Sequence, residues 1–105
     1  MPPLSEYEHQ LKWKSYEKLQ ELLKQERFAS AIALADGLAQ RLPKDPEVCQ
    51  WQAITYQQRG RKLVNEGQLD KARRHLKKAL RIDPHNRSLW TEIEQDFRRI
   101  ELIYK

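Results

Sequence analysis

Residues 56–90, YQQRGRKLVNEGQLDKARRHLKKALRIDPHNRSLW, decide the fold. Tyr56, Gly60 and Leu63 fall at helical spacing, Gly67 interrupts the run, and Leu69, Ala72, Leu76, Ala79 and Leu80 then recur every three or four residues until Asp83-Pro84 stops it. This spacing predicts two helices joined by a short turn. Trp90 follows Tyr56 by 34 residues, as Ile93 follows Arg59 and Phe97 follows Leu63, so the segment after Pro84 opens in the same register as the one before it. A fixed period of this size marks a hairpin that stacks on copies of itself. Small residues such as Gly60, Ala72 and Ala79 let helix backbones approach, and Tyr56, Leu63, Leu76, Trp90 and Phe97 are expected to fill the space between hairpins.

Outward from this stretch the same grammar predicts three further helices. Ser5-Glu6-Tyr7-Glu8 forms a capping box that starts a helix running to about Gln25, with Leu4, Tyr7, Leu11, Leu19, Leu22 and Leu23 inward. Phe28 to Leu42 carries a nearly continuous apolar stripe and ends at Pro43. Asp45-Pro46 starts a third helix that ends at Asn65 or Glu66. The fourth covers 68–82, and Asn86 caps a fifth through about Ile103, its inward residues expected to be Trp90, Ile93, Phe97, Ile100 and Tyr104. Ala31 precedes Ala72, and Pro43 precedes Pro84, by 41 residues; the seven beyond 34 are two helical turns. They predict a lengthened first helix in each hairpin, the two extensions packing with Tyr7 and Leu11 near Val48 and Trp51.

The run Tyr56-x-x-Arg59-Gly60-x-x-Leu63, Ala72-x-x-x-Leu76, Pro84 resembles the tetratricopeptide repeat signature. Arg59 departs from it where the family has an aliphatic residue, and Glu94 replaces the small residue expected 34 positions after Gly60. The resemblance implies an all-α solenoid of antiparallel α-hairpin repeats: repeat 1 over about 5–45, repeat 2 over about 46–86 and a capping helix over about 87–104, in one domain spanning 1–105. Tyr56 to Gly60 and Gln68 to Arg73 are also similar to the repeat tails of some bacterial J-domain proteins. The His-Pro-Asp tripeptide of the J domain is missing, so stimulation of a chaperone ATPase is not implied.

Composition narrows the function classes. No apolar run is long enough for a signal peptide or a membrane span, and one cysteine, Cys49, cannot form an internal disulfide, so the chain reads as cytoplasmic. His9, His75 and His85 show no metal-ligand spacing, Cys49 has no base placed beside it in sequence, and no Gly-rich phosphate loop occurs. Neither enzyme chemistry nor a cofactor or metal is expected.

Two surfaces remain as candidates. In the family the first helix of each repeat lines a concave groove, which implies a wall of Trp13, Tyr16, Gln20, Lys24, Gln57, Arg61, Asn65, Thr91, Gln95, Arg98 and Arg99. Aromatics with arginines suit an acidic or carboxylate-ended segment of another protein, the role of an adaptor, co-chaperone or assembly factor. The asparagines with which some relatives clamp chaperone tails are replaced here by Glu17 and Gln58, which disfavours that ligand. The second surface is the fourth helix, where Lys71, Arg73, Arg74, Lys77, Lys78 and Arg81 crowd together. Residues 59–87 hold ten basic residues against Glu66, Asp70 and Asp83, within a chain of net charge +5. Such a patch can attract nucleic acid or another anionic surface, although no aromatic is interleaved for base stacking. A third reading is a weak homodimer through the C-terminal helix, where Leu102 and Ile103 lie off the apolar stripe.

Overall fold

The computed structural model describes residues 3–104; residues 1, 2 and 105 of the expected domain lie outside them. Five α-helices follow one another without a strand among the described residues: α1 (Glu6–Lys24), α2 (Phe28–Arg41), α3 (Pro46–Asn65), α4 (Leu69–Ile82) and α5 (Arg87–Tyr104). Turns of three or four residues fold each helix back on the one before it. The first helices of successive hairpins also meet directly, α1 against α3 and α3 against α5. The result is an all-α array of helical hairpins, 52 × 28 × 17 Å.

The helix ends are set by local chemistry, and that chemistry repeats at 41 residues. Ser5 Oγ accepts from the Glu8 amide at 3.1 Å while Glu8 Oε1 accepts from the Ser5 amide at 3.0 Å, completing the capping box. Asp45 caps α3 through the amides of Glu47 and Val48, with Pro46 at the first helical position, and 41 residues on Asn86 caps α5 through the Leu89 amide. At the other end, α1 and α3 close with the same left-handed residue, Glu26 at φ 57° and Gly67 at φ 77°. Arg27 N–H reaches Leu22 O and Gln68 N–H reaches Leu63 O, both at 2.9 Å, the long bond of a Schellman cap. Gly67 occupies that conformation freely; Glu26 does so at a steric cost of roughly 1–2 kcal/mol.

Packing follows the small and large positions. A Cβ on Gly60 would stand 2.8 Å from two carbons of Leu76, so its absence sets how closely α3 and α4 cross. Around that crossing Ala53, Tyr56, Leu63, Val64, Ala72, Leu76 and Ala79 form one core with Leu89, Ile93 and Ile100 of α5. Two inward assignments fail on α5, Trp90 and Tyr104. Trp90 is 44% exposed although its counterpart Tyr56 is buried, and the inner stripe of α5 runs through Leu89, Ile93, Asp96 and Ile100, with Phe97 half-buried at its edge. Tyr56 lies between α2, whose Asp36 receives its hydroxyl, and α4, whose His75 and Lys78 lie against its ring. Trp90 has only α4 on one side and no described helix on the other, so its indole N–H turns back to Pro84 O at 2.7 Å. Tyr104 is likewise exposed, bonded to Asp70 beneath the guanidinium of Arg73.

The two extensions do pack together. Leu4 and Leu11 lie with Leu38, Leu42, Val48 and Trp51, whereas Tyr7 points outward at 68% exposure. Tyr7 lies off the inner stripe of α1, which runs through Lys12, Ser15, Leu19 and Leu22. Lys12 is buried, its ammonium 2.7 Å from Glu47 and 3.0 Å from Asp45.

Candidate functional site

Between α1 and α3 the extra turns build an aromatic platform. Trp13, Tyr16 and Trp51 touch one another with ring centroids 5.7, 5.5 and 4.4 Å apart, and the Lys12 ammonium lies 5.2 Å from the Trp13 ring. Beside it runs an open groove of about 290 Å³ lined by Tyr16, Gln20, Leu23, Trp51, Ile54 and Gln58, with Leu19 and Gln50 completing it. The side chains converge because the two helices run side by side with a 35-residue offset, which sets Tyr16 against Trp51 and Lys12 against Glu47. Burial works to lower the Lys12 pKa, but the hydrogen bonds and charges of Glu47 and Asp45 outweigh it and hold the ammonium above its ordinary value. Asp45 is held below its usual range because Lys12 and two backbone amides outweigh its own burial.

The same offset changes the reading of the α3–α5 wall. Gln57, expected to face a ligand, is buried and directs its amide to Glu92 at 3.4 Å. Arg61 donates to both oxygens of Asp96, at 3.0 and 3.2 Å, and lies 3.9 Å from Glu92. Arg99 donates to Asn65. A free cationic wall is therefore not what the structure presents: α5 carries Glu92 and Asp96 one offset beyond Gln57 and Arg61, and these residues rung the two helices together. Burial pushes the Asp96 carboxyl above its ordinary range, with Arg61 only partly offsetting it. Lys24, Gln95 and Arg98 are exposed, and Thr91 donates to its own helix at Arg87 O. Of the expected wall, Trp13, Tyr16 and Gln20 come together, with Gln58 from the position of a family clamp asparagine; Trp51, expected only as packing, and Ile54 join them unforeseen. The 35-residue spacing from Tyr16 to Trp51, and from Arg61 to Asp96, was the signal for both findings.

The basic residues of α4 divide into two groups. Arg74, Lys77, Lys78 and Arg81 surround a depression of about 400 Å³ with His75 and the edge of Tyr56, while Lys71 and Arg73 turn toward Tyr104. Tyr56 is pushed up to about 12, by burial first and then by Asp36, and stays a hydrogen-bond donor. Two turns earlier on the same side of α3, burial and then Asp83 raise the Cys49 thiol, which donates to Ile82 O at 2.9 Å; it is held as a thiol rather than a nucleophilic thiolate. Among the described residues no cluster of His, Cys, Asp and Glu has the makings of a metal site, and no helix is long and apolar enough to cross a membrane.

An all-α hairpin array with aligned first helices and a glycine at the helix crossing defines a helical-repeat protein. Residues 46–86, which hold α3, α4 and the turn that follows each, match the family model of the tetratricopeptide repeat, which supports assigning this segment to that family. Tetratricopeptide repeats generally mediate protein–protein interaction and are typically non-catalytic. No curated protein and no solved structure matches the chain.

Proposed function

We propose that the protein is a non-catalytic adaptor that holds a short segment of another protein in the α1–α3 groove. The observation that carries this reading is the Trp13–Tyr16–Trp51 platform, whose Tyr16 and Trp51 line the groove with Gln20, Gln50 and Gln58 and whose Trp13 is left 44% exposed. Amide side chains offer a donor and an acceptor to a peptide backbone, and the aromatic platform with Leu23 and Ile54 gives an apolar side chain a place to lie. Because Arg61 and Arg99 are already engaged, the segment recognised here is apolar-anchored and uncharged rather than carboxylate-ended. The first hairpin, 5–45, is read as a degenerate repeat whose lengthened helix supplies half the groove.

Affinity capture with the wild-type chain and a Trp13→Ala, Gln58→Ala variant tests the site. A protein retained by the first and lost by the second, with Arg61→Glu, Arg98→Glu and Arg99→Glu having less effect, is the expected result; identical captures from both would dismiss the groove. Exposure of Leu102 and Ile103 at 70% and 52% supports a second reading, self-association through α5. Sedimentation that shows only monomer at high concentration excludes it.

A further inference from the structure

The cations of this chain are not treated alike. Each basic residue of α3 has a carboxylate within reach: Arg59 at 3.6 Å from Glu66, Arg61 at 3.0 Å from Asp96, Lys62 at 3.0 Å from Glu26. Among the described residues none of the six on α4 has one within 4.0 Å, although acids stand nearby. Those acids are occupied elsewhere. Asp36 accepts from the Tyr56 hydroxyl and from Gln52, Asp70 from the Tyr104 hydroxyl, and Asp83 from the Asn86 amide. Neutral donors hold the carboxylates away from a face on which Arg74, Lys77, Lys78 and Arg81 converge on one depression.

We infer that this depression on the outer face of α4 is a second docking surface, separate from the α1–α3 groove, and that it takes an acidic polypeptide segment rich in Asp or Glu. Arg74, the Lys77–Lys78 pair and Arg81 rise one helical turn at a time, so the positive charge repeats at about 5.4 Å over two turns. Carboxylates three or four residues apart on one face of a helical segment meet that spacing, being about 5–6 Å from each other. Single-stranded nucleic acid fits less well. Its affinity draws on bases stacked upon aromatic faces, and the aromatic ring at this site, Tyr56, is buried, with Lys78 Nζ 4.7 Å from its centroid and His75 against it. A membrane surface would add an apolar anchor to such a cationic helix, and the residues around the depression supply none that is exposed.

Fluorescence anisotropy of a labelled glutamate dodecapeptide, titrated with the full chain at low and at physiological ionic strength, tests the assignment against a labelled oligouridylate of equal length. Saturable peptide binding is expected, weaker at the higher salt and weakened at least about tenfold by Lys77→Gln, Lys78→Gln and Arg81→Gln together. These side chains are exposed, and circular dichroism checks that the variant keeps its helices. The matched change on α1, Lys14→Gln, Lys18→Gln and Lys24→Gln, removes the same net charge and should leave affinity within about twofold. No saturable binding, or equal loss from both triple variants, overturns the proposal. Tighter binding of the oligouridylate than of the peptide overturns it too, and marks the face as a phosphate-binding one. Trp13→Ala should not move the peptide isotherm, which keeps this result independent of the groove.

Discussion

Gly60 is the residue at which sequence and packing agree most closely. Its hydrogen stands where a Cβ would be 2.8 Å from Leu76, itself fully buried and without room to turn aside. Gly60→Val should lower stability by about 2 kcal/mol or more through overpacking, whereas Lys77→Gln on the exposed face should change it by less than about 0.5 kcal/mol. Urea denaturation of the two variants separates them, and an unchanged midpoint for Gly60→Val would refute the assigned contact. Trp90 teaches the opposite lesson. Its identity and its 34-residue distance from Tyr56 were readable, but its burial was not, because burial depends on which helices lie alongside and spacing within one helix says nothing of that. Tyr7 escaped for a related reason: it stands at a helical interval from Leu4 and Leu11, but the buried stripe of α1 is set by Lys12, Ser15, Leu19 and Leu22, and Tyr7 lies off it.

At the scale of the elements, start and stop signals were legible because they are local: a capping box, an Asp-Pro, a glycine at positive φ. What the sequence concealed was how α1 and α3 are fastened. A lysine on a charged helix reads as solvated, yet Lys12 closes the gap between Asp45 and Glu47. Lys12→Met should destabilise the chain by about 3 kcal/mol at neutral pH, since it strands the buried Asp45 carboxylate. Asp45→Asn retains a cap for α3 and should cost less. The pH dependence follows from the directions of the shifts. Asp45, held low in the fold, contributes above its unfolded pKa of about 3.9, and this part is lost as pH falls through the folded value. Lys12, held high, contributes in full below about 10.4 and loses its part as pH rises through the folded value. Chemical denaturation across the acid range should therefore show a shallower loss for Asp45→Asn than for the wild type; parallel profiles would mean that the pair is not formed.

For the molecule as a whole, charge layout separates the two faces. Along the aligned first helices, Lys12, Arg61 and Arg99 find partners about one offset away, which is why Arg61 and Arg99 of the expected groove became rungs between α3 and α5. On the outer face α4 keeps like charges at i, i+3 and i, i+4, an arrangement that destabilises a helix by roughly 0.2–0.5 kcal/mol per pair. Lys77→Glu gives Arg73, Arg74 and Arg81 an opposite charge and should raise stability by up to about 1 kcal/mol, most clearly at low salt, while weakening any acidic ligand. A thermal midpoint that falls instead would show that the α4 cations are not in mutual repulsion. The fold was legible because hairpin packing is written in residue size at fixed intervals. The sites were less so, since which polar groups remain available depends on pairings between helices far apart in sequence. Glu94 bears on a different question. It stands on the exposed side of α5, 34 residues after Gly60, where a bare backbone would be needed for another helix to cross as α4 crosses α3. Duplicates of the 46–86 hairpin spliced in ahead of Arg87 would each bring their own glycine and lengthen the rod, while a helix added beyond α5 would meet a carboxylate at the crossing; elongation of this scaffold is one-directional.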